Sequence, residues 1–255
     1  MGICESKTNQ NKDANEPKPN LGLNKVNEQV PGNIDQNETK EMLVGYNIPL
    51  SVEVVSKAIK SICKITIKKN PENIYGTGFF MKISDNQEYL LTNYHIVSQD
   101  NINDDIEIEI YNHKKMKLNL NNRNIKYYPY PKDITMIEIK NYDSIYNEIK
   151  FLKYDLSYKT GYDIYKDAII FSIHHANGES AQCAGGKIRN IDGFEFDHSI
   201  PTENGSSGCP IILLSKNINS ILVIGIHKEA NTLKKLNTGT FIGEIFNNEI
   251  KLYYC

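Results

Sequence analysis

Short runs in which apolar and polar residues alternate begin near position 65, and clusters of Asn, Asp, Gly and Lys separate them. Alternation with a period of two is typical of β-strands, where successive side chains point to opposite faces. We predict strands at 65–67, 79–83, 89–91, 106–110, 134–139, 169–173, 211–214 and 221–226. Many short strands with little helix between them indicate an all-β sandwich or a pair of barrels.

One helix is predicted just before the strands. Ser51 is a suitable cap, and apolar residues recur at helical spacing as Val52, Val55, Ile59 and Ile62. We therefore expect a short helix that buries this face.

The first forty residues lack apolar periodicity and are rich in Asn, Lys, Glu, Gln, Pro and Gly. Such a segment cannot bury enough apolar surface to offset its lost conformational entropy, so we predict disorder over residues 1–44. Its first six residues match the myristoylation pattern M-G-x-x-x-[ST], with Gly2 as the acceptor. One acyl chain binds a bilayer only marginally, so palmitoylation of Cys4 is the expected second anchor. The open alternative is a chance Met-Gly start in a polar tail.

Composition narrows the class of protein. With 255 residues and 40% hydrophobic residues, the chain can bury a sizeable core, which we place in residues 45–255. No apolar run is long enough for a transmembrane helix, and no secretory signal is expected. A net charge of -2 without a basic block argues against nucleic-acid binding. Five widely spaced cysteines without a CxxC motif indicate reduced thiols rather than disulfides or a zinc site.

Three motifs carry candidate chemistry, in a fixed order. His95 ends a predicted strand in LTNYHIV, Asp133 opens another in KDITMI, and Ser207 stands on a glycine-flanked turn in NGSSGCP. A serine hydroxyl becomes a nucleophile when neutral histidine takes its proton, and a carboxylate orients that histidine. Asp143, in a polar turn after the strand, is the fallback for the carboxylate.

The turn around the candidate nucleophile also suggests a binding site for negative charge. Gly205 and Gly208 let the chain turn tightly on either side of Ser207. The backbone N–H groups of Gly205 and Ser207 can then converge as an oxyanion hole. Four other histidines are interpreted as structural or exposed: His113, His174, His175 and His198.

The segments GTGFF, TNYHIV, DITMI and GSSGCPI resemble the trypsin-like serine peptidases, in style closest to HtrA-like and glutamyl-endopeptidase-like members. The resemblance implies two six-stranded antiparallel Greek-key barrels, at about 62–145 and about 160–246, with the active site in the cleft between them. It implies that His95 is the general base, Asp133 its orienting partner and Ser207 the nucleophile, without metal or cofactor. Cys209 departs from the family, which usually has Gly or Ser there, and we expect a small buried filler.

The same resemblance places Thr202 and His227 in the pocket for the P1 side chain of the substrate. A hydroxyl and an imidazole can donate hydrogen bonds to the side-chain oxygen of a P1 Glu or Gln. A pocket with such donors rejects side chains that lack an accepting oxygen. Pro201 stands where Arg/Lys-specific members carry an acidic residue, so tryptic specificity is not expected. Against the Glu/Gln interpretation, Lys228 and Glu229 follow His227 in place of a glycine pair.

The sequence therefore predicts a serine endopeptidase that acts on peptides or proteins. Its acylated N-terminus would tether it to lipids at the cytoplasmic face of a membrane, with a cytosolic pool. The alternative is a protease-like adaptor that binds peptides or proteins at the membrane without cleaving them. Pseudoproteases normally lose a triad residue, and none is missing here.

Overall fold

The structure, a computed structural model, describes residues 50–69, 71–102, 105–214 and 221–250, so Gly2, Cys4 and the predicted tail lie outside the described residues. The helices are α1 (Val52–Ala58) and α2 (Gly243–Ile250). The strands are β1 (Ile62–Ile67), β2 (Ile74–Ser84), β3 (Gln87–Thr92), β4 (Asp105–Ile110), β5 (Lys115–Asn119), β6 (Ile125–Tyr128), β7 (Ile134–Glu138), β8 (Lys153–Tyr154), β9 (Ile169–His174), β10 (Gln182–Asp192), β11 (Glu195–His198), β12 (Pro210–Leu214), β13 (Ile221–Asn231) and β14 (Leu236–Phe241). No helix among the described residues is long and apolar enough to cross a membrane.

The first sheet is antiparallel, in the order β5-β4-β1-β2-β3-β7-β6. The neighbours β4-β1-β2-β3 form a Greek key, in which a fourth strand returns beside the first. Alternate side chains point inward, and Ile65, Phe80 and Leu90 are among those that fill the interior. This first barrel carries the predicted histidine and aspartate motifs.

The second sheet closes on itself, because β12 pairs with both β9 and β13. Its antiparallel strands run β12-β9-β10-β11-β14-β13, and the first four of these again form a Greek key. The two-residue β8 joins β13 in parallel. Phe196 and Phe241 pack with ring centroids 4.5 Å apart in the interior. Gly225 and Gly239 make room for Phe196, because a Cβ at either position would collide with its ring.

A third apolar cluster joins the two barrels. Phe79 and Leu91 of the first barrel pack in it with Phe171 and Ile212 of the second. Buried apolar area between the sheets holds them together at about 25 cal/mol per Å². The cleft beside this cluster is therefore fixed by packing on both sides.

The expected all-β architecture with two barrels is confirmed, with differences in detail. The second barrel has six antiparallel strands, as expected, plus the short parallel β8. The first has seven, and within the described residues its outer strands β5 and β6 do not pair with each other. A two-residue strand is below the length at which alternation can be seen in a sequence, so β8 gave no pattern.

The helix forms where expected, but its buried face differs in part from the predicted one. Val54 and Ala58 are buried, whereas Val52 is 84% exposed, and the Ser51 side chain accepts no capping hydrogen bond. The helix ends at Ala58, and a 3₁₀ turn over 59–61 changes the phase before β1 begins at Ile62. The apolar spacing that runs from 52 to 62 therefore spans three kinds of backbone. Val55, Ile59 and Ile62 contact the core as predicted, and the prediction was wrong for Val52.

Candidate active site

Strand pairing brings the histidine and aspartate motifs together. His95 lies in the turn after β3, and Asp133 directly precedes β7. These strands are antiparallel, with Thr92 opposite Thr135, so the chain leaving β3 meets the chain entering β7. The buried Asn93 side chain adds a bond from its Nδ2 to the carbonyl oxygen of Asp133 at 2.8 Å.

Both carboxylate oxygens of Asp133 accept hydrogen bonds from His95. Oδ2 lies 2.6 Å from His95 Nδ1, and Oδ1 accepts the backbone N–H of His95 at 2.9 Å. The Asp133 side chain is only 7% exposed, whereas that of His95 is 45% exposed. A buried carboxylate thus orients an accessible imidazole, with the hydrogen of Nδ1 directed to the carboxylate and Nε2 left free to accept a proton.

The fallback carboxylate is engaged elsewhere. Asp143 accepts two bonds from the Arg123 guanidinium, at 2.8 and 2.7 Å, and one from the backbone N–H of Lys140 at 2.8 Å. Both side chains of the ion pair are nearly buried. Asp143 therefore holds a turn of the first barrel, and it does not contact His95.

Ser207 lies on the turn between β11 and β12 and is half-buried. Its carbonyl oxygen accepts the backbone N–H of Thr77 at 2.8 Å. Ser207, His95 and Asp133 line one cavity of about 880 Å³. The structure thus gathers the three predicted triad residues in one place, two from the first barrel and one from the second.

The peptide group between Asn204 and Gly205 is fixed by a hydrogen bond from Asn177. We call residues 203–208 the oxyanion turn. The carbonyl oxygen of Asn204 accepts the backbone N–H of Asn177 at 2.5 Å. In a trans peptide the C=O and the next N–H point in opposite directions, so the Gly205 N–H points away from Asn177. Gly205 has φ +86°, a conformation that suits glycine.

The peptide that precedes Ser207 is held in the same way. The carbonyl oxygen of Ser206 accepts the N–H of Cys209 at 3.1 Å, which turns the Ser207 N–H to the other side. Both Gly205 and Ser207 line the same cavity as His95. Within the part of the chain that the structure describes, neither of their N–H groups donates a hydrogen bond. Two free amides beside a nucleophile can stabilise an oxyanion.

Thr202 and His227 line the same cavity, and a second histidine fixes the tautomer of His227. His198 and His227 are buried, and burial lowers the pKa of His198 to about 3 and that of His227 well below its ordinary value. Ile200 N–H donates to His198 Nδ1 at 3.3 Å, so neutral His198 carries its hydrogen on Nε2. That group lies 3.1 Å from His227 Nδ1 and donates to it, which leaves the hydrogen of His227 on Nε2.

Cys209 is fully buried two residues after the candidate nucleophile. Burial raises the pKa of its thiol to about 12, so the thiol stays protonated near neutral pH. A protonated, inaccessible thiol is a poor nucleophile. Cys209 is therefore a small buried side chain beneath the turn, as expected, and its thiol is not available as a nucleophile.

Sequence reasoning missed three residues that shape this site. Thr77 and Asn177 bind the oxyanion turn through hydrogen bonds, and His198 orients His227. Thr77 lies within the GTGFF segment, but nothing in that segment indicates a contact with Gly205. Asn177 gave no signal, because a residue in a loop between strands looks like any polar turn.

Comparison with solved structures finds proteases of the same architecture. A serine endoprotease from Yersinia pestis matches with a TM-score of 0.59 at 14% identity, over 80% of this chain and 67% of that one. The active form of the Rv3671c protease from M. tuberculosis gives 0.55 at 16% identity, over 76% and 81%. The HtrA-type protease AlgW with a tripeptide gives 0.58 at 15%, over 78% and 62%. No protein-family model and no curated protein matches the chain. The chain therefore has the two-barrel fold of the trypsin-like serine proteases.

Proposed function

We propose that this protein is a serine endopeptidase. The observation that carries the proposal is the single cavity in which the His95–Asp133 pair, Ser207 and the free amide of Gly205 meet. Each group has the chemistry that peptide hydrolysis needs: a base with a fixed tautomer, a nucleophile and donors for the developing negative charge. The solved proteases of the same fold support the proposal.

The reaction follows from the roles of these groups. Ser207 Oγ attacks the scissile carbonyl carbon while its proton passes to His95 Nε2. The carbonyl oxygen becomes an oxyanion that accepts bonds from the N–H groups of Gly205 and Ser207. The C–N bond then breaks, His95 returns the proton to the leaving amine, and an acyl ester remains on Ser207. Water, deprotonated by His95, hydrolyses that ester and restores the hydroxyl.

The pocket beside the triad suits a P1 side chain that accepts hydrogen bonds. His227 is neutral and its Nε2–H is the only ring donor left, because Nδ1 accepts from His198. Thr202, which carries a hydroxyl, lines the same cavity. A neutral donor pair fits the side-chain oxygen of Gln or Glu, so we include a preference for these residues at P1 in the proposal.

The proposal also includes a membrane tether. Its support is in the sequence, where Gly2 and Cys4 offer sites for two acyl chains, and two chains are what stable anchoring needs. Gly2→Ala should move the protein from the membrane pellet to the cytosolic supernatant, and Cys4→Ser should weaken its retention. An unchanged distribution for both variants would remove the tether from the account without affecting the peptidase.

Cleavage of a peptide library by the full-length protein tests the proposed activity. The library carries every residue at P1, and mass spectrometry identifies the products. We expect cuts after Gln or Glu by the wild type and none by Ser207→Ala. If neither protein cuts any peptide while both show the same folded spectrum, the peptidase proposal fails and the adaptor becomes the better account.

A further inference from the structure

Thr77, on β2 of the first barrel, is fully buried beneath the oxyanion turn of the second barrel. Its hydroxyl donates to the carbonyl oxygen of Gly205 at 2.8 Å and accepts the backbone N–H of His175 at 2.9 Å. Its own backbone N–H donates to the carbonyl oxygen of Ser207 at 2.8 Å. One residue of the first barrel thus binds both residues whose amides are free in the cavity.

These bonds control the direction of the amides. The carbonyl group of Gly205 belongs to the peptide plane that follows Gly205, and the carbonyl group of Ser207 belongs to the plane that follows Ser207, so each plane adjoins a residue whose N–H is free. If either plane rotates, the φ and ψ angles that aim the neighbouring N–H groups change with it. Gly208 lies so close to Thr77 that a Cβ there would collide with the Thr77 carbonyl oxygen. The turn therefore rests directly on this part of β2.

A second segment is drawn into the same network. His175 and Asn177 lie in the connection between β9 and β10, and His175 reaches the turn through the Thr77 hydroxyl. The Asn177 N–H binds Asn204, and its side-chain Nδ2 donates to Glu203 Oε2 at 2.5 Å. The Thr77 hydroxyl is the point at which the first barrel, this connection and the oxyanion turn are bonded together.

We infer that the Thr77 hydroxyl is a positioning group that holds the oxyanion turn in its productive shape across the interface between the barrels. The inference rests on the proposed function and names a further residue on which that function depends. Valine has the shape of threonine but neither donates nor accepts, so it would leave one buried N–H and one buried carbonyl without a partner. The turn can then recover a partner only by rotating, which moves the amides away from the substrate carbonyl.

The test compares Thr77→Val with Thr77→Ser in the full-length protein. We expect Thr77→Val to lower kcat roughly tenfold to a hundredfold, with little change in KM. This drop is no larger than the one caused by removing one oxyanion-hole donor. Binding of a peptide aldehyde, which forms an oxyanion on Ser207, should weaken in parallel. Thr77→Ser keeps the hydroxyl and should restore most of the activity. The pH dependence of the remaining activity should not move, because His95 and Asp133 are untouched.

A matched control separates this effect from the loss of any buried hydroxyl. Thr135 is also fully buried in the first barrel, and its hydroxyl donates to the carbonyl oxygen of Val97 at 2.7 Å. Thr135→Val should destabilise the protein to a similar degree. Its affinity for the peptide aldehyde, compared with its affinity for substrate, should stay that of the wild type. Should Thr77→Val not fold, Thr77→Ala removes the same hydroxyl with a smaller side chain.

Hydrogen exchange of the bonded amides of Ser206 and Gly208, which donate to the carbonyl oxygens of Glu203 and His227, gives a readout that does not need activity. Exchange should be faster in Thr77→Val than in wild type and Thr77→Ser. If wild type is inactive but this difference is seen, the positioning role stands and the proposed function fails. If wild type is active while Thr77→Val keeps its kcat and its exchange rates, the inference is overturned. Equal losses in Thr77→Val and Thr77→Ser would also overturn it, because the hydroxyl would then not be the cause.

Discussion

Asp133 shapes the site through both its backbone conformation and its two carboxylate oxygens. Its φ of +56° places it in the left-handed region, which Asp and Asn tolerate better than most residues. Its two oxygens bind the backbone and the ring of His95, so the carboxylate sets both the position and the tautomer of the base. The short spacing between Asp133 and β7 then keeps this geometry tied to the sheet.

Asp133→Asn should therefore abolish turnover without unfolding the protein. The amide can keep its oxygen on the His95 backbone N–H, but its NH₂ group then faces Nδ1 and forces the ring hydrogen onto Nε2. A histidine in that tautomer cannot take the Ser207 proton, and we expect kcat to fall by roughly 10⁴-fold. Steady-state kinetics with the melting temperature as control tests this. A loss of less than about tenfold would contradict the assigned role.

His227→Leu should change which substrates are cleaved while leaving the chemistry intact. The variant removes the Nε2–H that we place opposite the P1 side chain, and the preference for P1 Gln over Leu should fall by roughly a hundredfold or more in kcat/KM. Labelling of Ser207 by a small fluorophosphonate, which does not fill the pocket, should continue. An unaltered P1 profile would show that His227 does not read the P1 side chain.

At the scale of elements, the turn between β5 and β6 is bonded to the segment that follows β7. Arg123 donates to Asp143 through two nitrogens and to the carbonyl oxygen of Glu138 at 3.0 Å. The pair is nearly buried, with exposed side-chain fractions of 9% and 4%. An ion pair in such a place is costly to break because one charge is left buried alone.

Arg123→Met should destabilise the protein by about 3–5 kcal/mol, because Asp143 loses its cation while it remains buried. The double variant Arg123→Met with Asp143→Leu removes both charges and should recover most of that stability. Urea denaturation of the three proteins gives the comparison, and kcat/KM of the folded fraction should not change. A loss of activity without a loss of stability would restore Asp143 as a candidate third member of the triad.

The elements that could be predicted from the sequence are those with one strongly apolar face. β9 and β13, rich in Ile and buried along much of their length, gave clear runs. β10 carries Gly, Lys, Asn and Asp at mostly exposed or partly exposed positions, and β14 carries Asn, Thr and Gly among few apolar residues, so both patterns resemble a loop. Their place in the barrel comes from pairing with neighbours, such as β10 with β9 and β11, which local sequence does not encode.

Across the whole molecule, buried histidines cluster in the second barrel beside the cleft. Burial lowers the pKa of His174 to about 4 and of His198 to about 3, from an ordinary value of 6.5. Both are thus neutral in the folded protein at pH 5, whereas the unfolded chain binds protons at these positions below pH 6.5. Protonation therefore favours the unfolded state, and stability must fall as the pH drops from 6.5.

The free energy of unfolding should decrease between pH 7.5 and pH 5 by on the order of 2 kcal/mol for His174 alone. Urea titrations at half-unit steps in this window measure it, before most carboxylates begin to titrate. His174→Phe, which removes one titrating group, should reduce the pH dependence, while His198 and His227 keep the remainder. A urea midpoint that stays constant across the window would show that these histidines bind protons equally in the folded and unfolded states, which would contradict their burial as neutral groups.

The sequence could name the candidate site residues because they lie on short motifs, but it could not supply the contacts between barrels. His95, Asp133 and Ser207 each stand at the edge of a recognisable strand or turn. Thr77 acts on Gly205 from 128 positions away, a relation that only the packed fold creates. The same holds for the choice between Asp133 and Asp143, which depends on what each carboxylate contacts.

Labelling of the full-length protein with a fluorophosphonate tests the central claim most directly. The reagent transfers its phosphoryl group only to a serine whose proton an adjacent base removes. We predict one adduct on the wild type, located by peptide mass spectrometry at Ser207, and none on Ser207→Ala or on His95→Ala. Equal labelling of wild type and Ser207→Ala, or an adduct at another serine, would contradict the assignment of Ser207 as the activated nucleophile.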